Sequence, residues 1–163
     1  MKRLILLALC ALLCVTLAVP AMAAGSASVS VSDSSVHRGD TFTVSISVTG
    51  NSIKSGTFDV SYGSAFEFVS YEFKTDALIK DYNSAAAIGV FTFKEEQKVS
   101  GAICVLKFKV KNDAKFEANS ISVEITTTGA DGFTAKKTTK VTVSCDHKYG
   151  EWNITCKRIM HHD

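Results

Sequence analysis

The residues best suited to chemistry lie close to the carboxyl terminus. Cys145, His147 and Cys156 are followed there by His161 and His162. A disulfide between the two cysteines would close a small loop, whereas thiolate and imidazole groups together would bind zinc. The segment also fits the beginning of a cysteine-rich module. Because the spacing matches no compact Cys-x2-Cys knuckle, it favours the disulfide over zinc, and no other cofactor is implied.

Candidate catalytic residues are few. Asp59, Glu67, Glu72 and Asp76 lie near one another in the sequence, and paired carboxylates that flank a sugar can hydrolyse glycosides. The sequence gives no sign of the burial that would raise a carboxyl pKa. The simpler interpretation is that these acids keep the solvent-facing side of the strands soluble. His37 lies in a turn-like segment without an obvious orienting partner. Since Gly-x-Ser-x-Gly and His-Glu-x-x-His motifs are also missing, we expect a protein that is not an enzyme.

The amino terminus has the layout of a secretory signal peptide, predicted for residues 1–23. A short basic start precedes an apolar run from Leu4 to Val19, and the small-x-small sequence before Ala24 suits cleavage after Ala23. That run is short for a membrane span, which predicts a secreted or cell-surface chain without a span after cleavage; an uncleaved anchor is the alternative. The net charge of +2 and the scattered lysines argue against nucleic-acid binding.

Most of the chain between residues 29 and 143 alternates between apolar and polar side chains. From Thr41 to Val48 the apolar residues occupy every second position, as in a strand with one buried face. Similar runs predict strands at 29–31, 58–62, 66–73, 86–93, 102–110, 120–127 and 134–143. Connections are predicted at 50–52 and 94–98, and either a short helix or an irregular crossover at 74–84. This pattern is typical of an all-β jelly-roll or Greek-key sandwich of about eight to nine strands.

Most aromatic residues, and Cys104, fall in the buried phase of these strands, which predicts that they form the core. Tyr62, Tyr71, Tyr82 and Trp152 are the candidates for exposed rings that would stack on sugars. The domain organisation predicted is a signal peptide at 1–23, a sandwich at 24–143 and a Cys/His-containing tail at 144–163.

Three stretches of the sandwich resemble cohesin domains. The sequence VHRGDTFTV at 36–44 is similar to the "pGd.v.V.v" opening of that family. FDVSY at 58–62, followed by FEFVS at 66–70, resembles its "f.v.YD...Lev.sv" segment. SGAICVLKFKV at 100–110 resembles "G.latltFkVk", and the likeness covers roughly 28–143.

The cohesin resemblance implies a jelly-roll sandwich that binds dockerin modules of secreted polysaccharide-degrading enzymes, with calcium belonging to the dockerin. Alignment on Tyr62 places the partner-contacting positions at Ser55 and Thr57, and Asp59 continues the same face. Ser55 and Thr57 carry hydroxyls where acidic or amide residues are common in the family. The expected function is therefore a secreted, non-catalytic, dockerin-type binding module.

Two other functions remain open from the sequence. The same sandwich would bind a polysaccharide directly if its tyrosines were exposed, or it would be a structural cell-surface or adhesion domain. The sequence CDHKYGEW at 145–152 resembles the "C.H.yg.W" start of a small module repeated on surface proteins of gut Firmicutes. That resemblance predicts that 144–163 is a truncated surface-protein module.

Overall fold

The computed structural model describes residues 25–145, and every regular element in this range is a β-strand. The strands are β1 (Ser26–Val31), β2 (Ser35–Val36), β3 (Thr41–Tyr62), β4 (Phe66–Phe73), β5 (Ile79–Asn83), β6 (Ile88–Val110), β7 (Ala118–Thr128) and β8 (Thr134–Val143). The all-β class is thus confirmed. None of these residues belongs to a helix long and apolar enough to cross a bilayer. The predicted signal peptide and most of the tail lie outside the described residues.

Two long antiparallel strands, β3 and β6, connect two layers. The first half of β3 pairs with β1 and with the second half of β6, to which β4 is added. The second half of β3 pairs with β7 and with the first half of β6. β8 and β5 extend this second layer, and β2 adds a short parallel pairing to β8. Register shifts between Gly50 and Ser55 mark where β3 passes from one layer to the other.

Aromatic contacts show that the two layers face each other. The ring centroids of Tyr62 in the second layer and Phe108 in the first are 4.8 Å apart. Tyr82 of β5 approaches Phe68 of β4 to 5.2 Å in the same way. Because these rings are contributed from both layers, the predicted β-sandwich is confirmed, and its core is apolar. The largest fully buried side chains are Phe42, Phe58, Phe91, Phe108, Ile46, Ile53, Ile103, Leu106, Ile121, Ile125, Val44 and Val48.

The pairing of β3 with β6 depends on two glycines that lie beneath phenylalanine rings. Phe58 on β3 lies opposite Gly89 on β6, and Phe91 on β6 lies opposite Gly56 on β3. A Cβ at Gly89 would lie 2.0 Å from the Phe58 ring, and one at Gly56 would lie 2.5 Å from the Phe91 ring. Each strand therefore leaves open the space that the other strand's ring fills.

A buried carboxylate holds the bend of β3. Asp131 is only 3% exposed, and its Oδ2 accepts hydrogen bonds from the backbone N–H groups of Asn51 at 2.6 Å and Ser52 at 3.3 Å. The Asp131 N–H in turn donates to the Ser52 carbonyl at 3.1 Å. Gly129 has φ +118°, and a Cβ there would lie 2.3 Å from the same carbonyl oxygen. The β7–β8 turn thus packs directly on the bend.

Three local predictions are wrong for a common reason. The short helix, one of two alternatives for 74–84, is wrong: the segment is a loop followed by β5, because Tyr82 is buried against the core and β5 pairs with β6. The polar residues at 50–52 and 94–98 are not connections but parts of the continuous strands β3 and β6. Pairing with distant strands overrides local composition at these places.

Gly89→Ala is expected to destabilise the sandwich by about 1–3 kcal/mol, because the added methyl overpacks the Phe58 ring. Adding Phe58→Leu should recover part of that loss in a double-mutant cycle measured by urea unfolding. Gly63→Ala is the matched control, since its nearest neighbour is a side-chain atom of Asn119 at 3.1 Å. Equal stability of Gly89→Ala and wild type would contradict this packing.

Asp131→Ala is expected to lower the free energy of unfolding by about 1–3 kcal/mol, because two backbone N–H groups lose their acceptor in a buried site. Asp33→Ala provides the comparison, because Asp33 is exposed and its side chain makes no hydrogen bond within residues 25–145. Chemical unfolding of both variants measures the difference; a loss no larger than that of the control would refute the anchoring role.

Candidate binding face

The three residues predicted to contact a partner share the outward face of the second layer. Ser55, Thr57 and Asp59 alternate along β3 with buried residues such as Phe58 and Val60. β3 has β7 and β8 on one side and β6 and β5 on the other. The structure therefore brings the predicted residues together on the central strand of a five-stranded surface, called here the β3 face.

The β3 face is rich in hydroxyl groups. Ser55 Oγ lies 2.8 Å from Thr128 Oγ1, whereas Thr57 and Asp59 make no side-chain hydrogen bond to any described residue. Beside them is a depression of about 350 Å³. Its lining includes Thr57, Asp59, Ile88, Glu124 and Thr126. The centre of this face therefore has polar groups that are free to bond a partner.

Across the face, the chemistry changes from strand to strand. On the side of β5 and β6 the outward residues include Ile79, Ile88 and Val90 together with the exposed Asp81, which lies directly opposite Val90. On β7, Glu124 lies directly opposite Asp59, and Lys136 of β8 lies opposite Glu124. Neither carboxylate has an ion-pair partner among the described residues. The face is thus mixed aliphatic and acidic on the β5 side, acidic and hydroxyl-bearing at its centre, and basic at β8.

The tyrosines considered for sugar stacking do not lie on the β3 face. Tyr82 is only 5% exposed, so its predicted exposure is wrong; it stacks on Phe58 with the centroids 6.0 Å apart. Burial raises the pKa of Tyr82 well above its usual value. Tyr71 is 43% exposed, but it lies on the edge strand β4 in contact with Phe73 and Tyr82. Tyr71 and Tyr82 thus pack against each other and do not form a flat platform for sugar rings.

The candidate catalytic acids are not gathered into one site. Asp59 lies on the β3 face, whereas Glu67 and Glu72 are on β4 in the other layer. Glu72 forms an ion pair of 2.5 Å with Lys74. Within residues 25–145 no group of histidine, cysteine, aspartate and glutamate side chains is placed to hold a metal ion.

His37 is exposed in a turn. Its backbone N–H donates to Asp40 Oδ2 at 2.9 Å, and its ring Nδ1 lies 3.3 Å from the same oxygen. Asp40 therefore fixes the turn through the backbone as well as the ring, which is a structural arrangement at the surface.

The two cysteines that the structure describes, Cys104 and Cys145, have different environments. Cys145 is disulfide-bonded, and its partner lies outside the described residues, as do His147 and Cys156. The pairing of Cys145 with Cys156 accordingly stays a prediction. Cys104 is a free, fully buried thiol, as predicted from its phase, and burial raises its pKa to about 12.

Solved cohesin structures share this fold. A type III cohesin from the cell-surface anchoring scaffoldin ScaE of Ruminococcus flavefaciens gives a TM-score of 0.59 at 9% identity, covering 76% of this chain and 90% of its own. The third ScaB cohesin of that organism, solved with a group 1 dockerin, gives 0.58 at 13% identity, covering 74% and 97%. The OlpA cohesin of Clostridium thermocellum, solved with Doc918, gives 0.54 at 15%, covering 72% and 99%.

No protein-family model and no curated protein matches the sequence. The structural likeness nevertheless extends over nearly the whole length of each cohesin compared. The described residues therefore have the fold of cohesin domains, as the sequence resemblance implies.

The sequence indicates the central strand of the face but not its neighbours. Ile88 and Glu124 flank Asp59 on β6 and β7, although they are far from it in the chain. Alternation shows that each residue points outward from its own strand. Which outward residues become neighbours depends on strand order and register, and these belong to the tertiary structure.

The Cys104 thiol is expected to resist alkylation in the folded protein near pH 8.5, where an ordinary thiol is about half ionised. Its raised pKa means that the folded state keeps the proton that the unfolded state releases. Stability should therefore fall as the pH rises from about 9 to about 12. Mass spectrometry after iodoacetamide treatment, with and without denaturant, measures the protection.

Cys104→Ala is the control for the pH effect, because it should show a smaller loss of stability across the same pH range. Rapid labelling of Cys104 in the folded protein, or an identical pH dependence in the variant, would show that this thiol is not protected by burial.

Proposed function

We propose that this protein is a secreted, non-catalytic binding module that takes a dockerin-type protein module on the β3 face. Its cohesin-like fold supports a protein partner, since the ScaB and OlpA cohesins are solved in complexes with dockerins. The amino-terminal sequence supports export, and one of the similar cohesins belongs to a cell-surface anchoring scaffoldin. In this setting the module links its partner to an extracellular assembly.

The observation that carries the proposal is the free polar centre of the β3 face. Thr57 and Asp59 are exposed on the central strand, and no described side chain occupies their hydrogen-bonding groups. A broad sheet surface with polar groups around a small aliphatic area has the composition of a non-obligate protein interface. Ser55 sits at its margin and already bonds to Thr128, so it contributes less to recognition.

A protein partner suits this face better than a polysaccharide. Sugar rings bind proteins largely by stacking on exposed aromatic side chains. The outward positions that β3, β5, β6, β7 and β8 contribute to the face carry no aromatic ring, because Phe58, Tyr82 and Phe91 point into the core. Aliphatic, hydroxyl-bearing and charged side chains remain, and they match protein surfaces.

The test is capture of calcium-loaded dockerin modules from a panel that includes Doc918, followed by titration calorimetry of each captured module. We expect binding in calcium and its loss in a chelator, because calcium is a ligand of the partner. Thr57→Arg should weaken binding by about tenfold or more, since a bulky cation then occupies the centre of the face.

Thr41→Arg is the matched control, because Thr41 is an exposed threonine on the same strand but in the first layer. It should bind like wild type. If no dockerin is captured while cellulose, xylan or mannan retards the protein in affinity gels, direct carbohydrate binding replaces the proposal.

A further inference from the structure

The exposed apolar side chains are concentrated on one side of the sandwich. Val69, Tyr71, Leu78, Ile79 and Ile88 belong to β4, to β5 with the loop before it, or to the start of β6. The remaining exposed large apolar residue, Phe116, is covered by the Arg38 guanidinium at 4.0 Å from its ring centroid. Two of these residues, Ile79 and Ile88, lie on the β5 side of the β3 face, where the exposed Asp81 is their neighbour.

Next to this area, the centre of the face contains an unfavourable charge arrangement. Asp59 and Glu124 are directly opposite each other on paired strands, and like charges in that position destabilise a sheet. Lys136 lies opposite Glu124 on its other side, yet no ion pair forms between them. The nearest position on the other flank of Asp59 is Ile88, which is 40% exposed and carries no charge.

We propose that the partner presents a lysine or arginine to Asp59 and Glu124 and aliphatic side chains to Ile88, Val90 and Ile79. This inference rests on the proposed function and adds the chemistry and the orientation of the partner. A cation placed between the two carboxylates relieves their repulsion, and burial of Ile88 and Val90 against the partner strengthens that attraction. The exposed Asp81, opposite Val90, adds to the negative charge that the cation meets. The basic margin at Lys136 disfavours the reverse orientation, which would bring the partner's cation over β8.

Occupants of other kinds fit this face less well. A second copy of the chain would place two acidic centres against each other, because a two-fold axis through the face brings like surfaces together. A sugar chain offers neither the cation nor the aliphatic side chains. The observations therefore favour a protein partner with a basic residue beside an apolar stripe.

The test compares Asp59→Asn and Glu124→Gln with wild type in calorimetry against each dockerin that wild type captures, at low and high salt. We expect each variant to bind roughly tenfold more weakly or worse. The double variant should also show a smaller salt dependence. Glu67→Gln is the matched control, because Glu67 is exposed on the first layer opposite Lys109 and should leave affinity unchanged.

A second measurement separates recognition from a structural role. Because the two carboxylates repel each other, Asp59→Asn should raise the midpoint of thermal unfolding while it lowers affinity. A purely structural residue would lower both. Ile88→Ser should weaken binding without changing its salt dependence, since Ile88 contributes apolar contact only.

The outcomes distinguish the two proposals. If wild type binds a dockerin and the Asp59→Asn and Glu124→Gln variants bind it equally well, the inference about the partner's cation is wrong and the proposed function stands. If wild type captures no dockerin in the panel, the proposed function fails, and this inference fails with it. Restoration of binding between Asp59→Lys and a dockerin whose basic residue is changed to glutamate would establish the contact directly.

Discussion

The antiparallel pairing of β3 with β6 is the interaction on which the rest of the sandwich depends. Both strands are long enough to contribute to two layers, and every other strand except β2 and β8 pairs directly with one of them. Their close approach is possible because Gly56 and Gly89 leave room for the rings of Phe91 and Phe58. These rings then form part of the shared core, so the same two contacts fix both the register of the pair and the packing of the interior.

The bend in β3 determines where the candidate binding residues lie. Asp131 holds the backbone at Asn51 and Ser52, and beyond this point β3 becomes the central strand of the second layer. Ser55, Thr57 and Asp59 follow directly, and their outward direction is set by the burial of Phe58 between them. The burial of Phe58 and the contact of the β7–β8 turn with the bend together determine where this polar surface lies. Binding through such a surface needs no movement of the fold, because the exposed groups already point away from the core.

Much of the fold is predictable from the sequence. Alternation of apolar residues located the strands near 41–48, 66–73, 102–110 and 134–143, and the cohesin resemblance indicated the architecture in which they are arranged. The failures at 74–84, 50–52 and 94–98 share one cause. Local composition there is polar or helix-compatible, while the backbone hydrogen bonds that keep these residues extended come from strands distant in the chain. The prediction that Tyr82 is exposed is wrong for a similar reason, because its ring is buried by contacts with Phe68 and Tyr71 of β4.

The sequence by itself determined which side chains face the core and which face solvent along each strand, because that alternation follows from the geometry of an extended chain. It therefore identified Cys104 as a buried thiol, whereas Ser55, Thr57 and Asp59 were placed on the outward face by the cohesin resemblance. Only the tertiary structure decided that Asp59 lies between Ile88 and Glu124, and that Val90 lies opposite Asp81. These neighbours come from separate strands, and their juxtaposition depends on the register of long-range pairing, which no local pattern specifies.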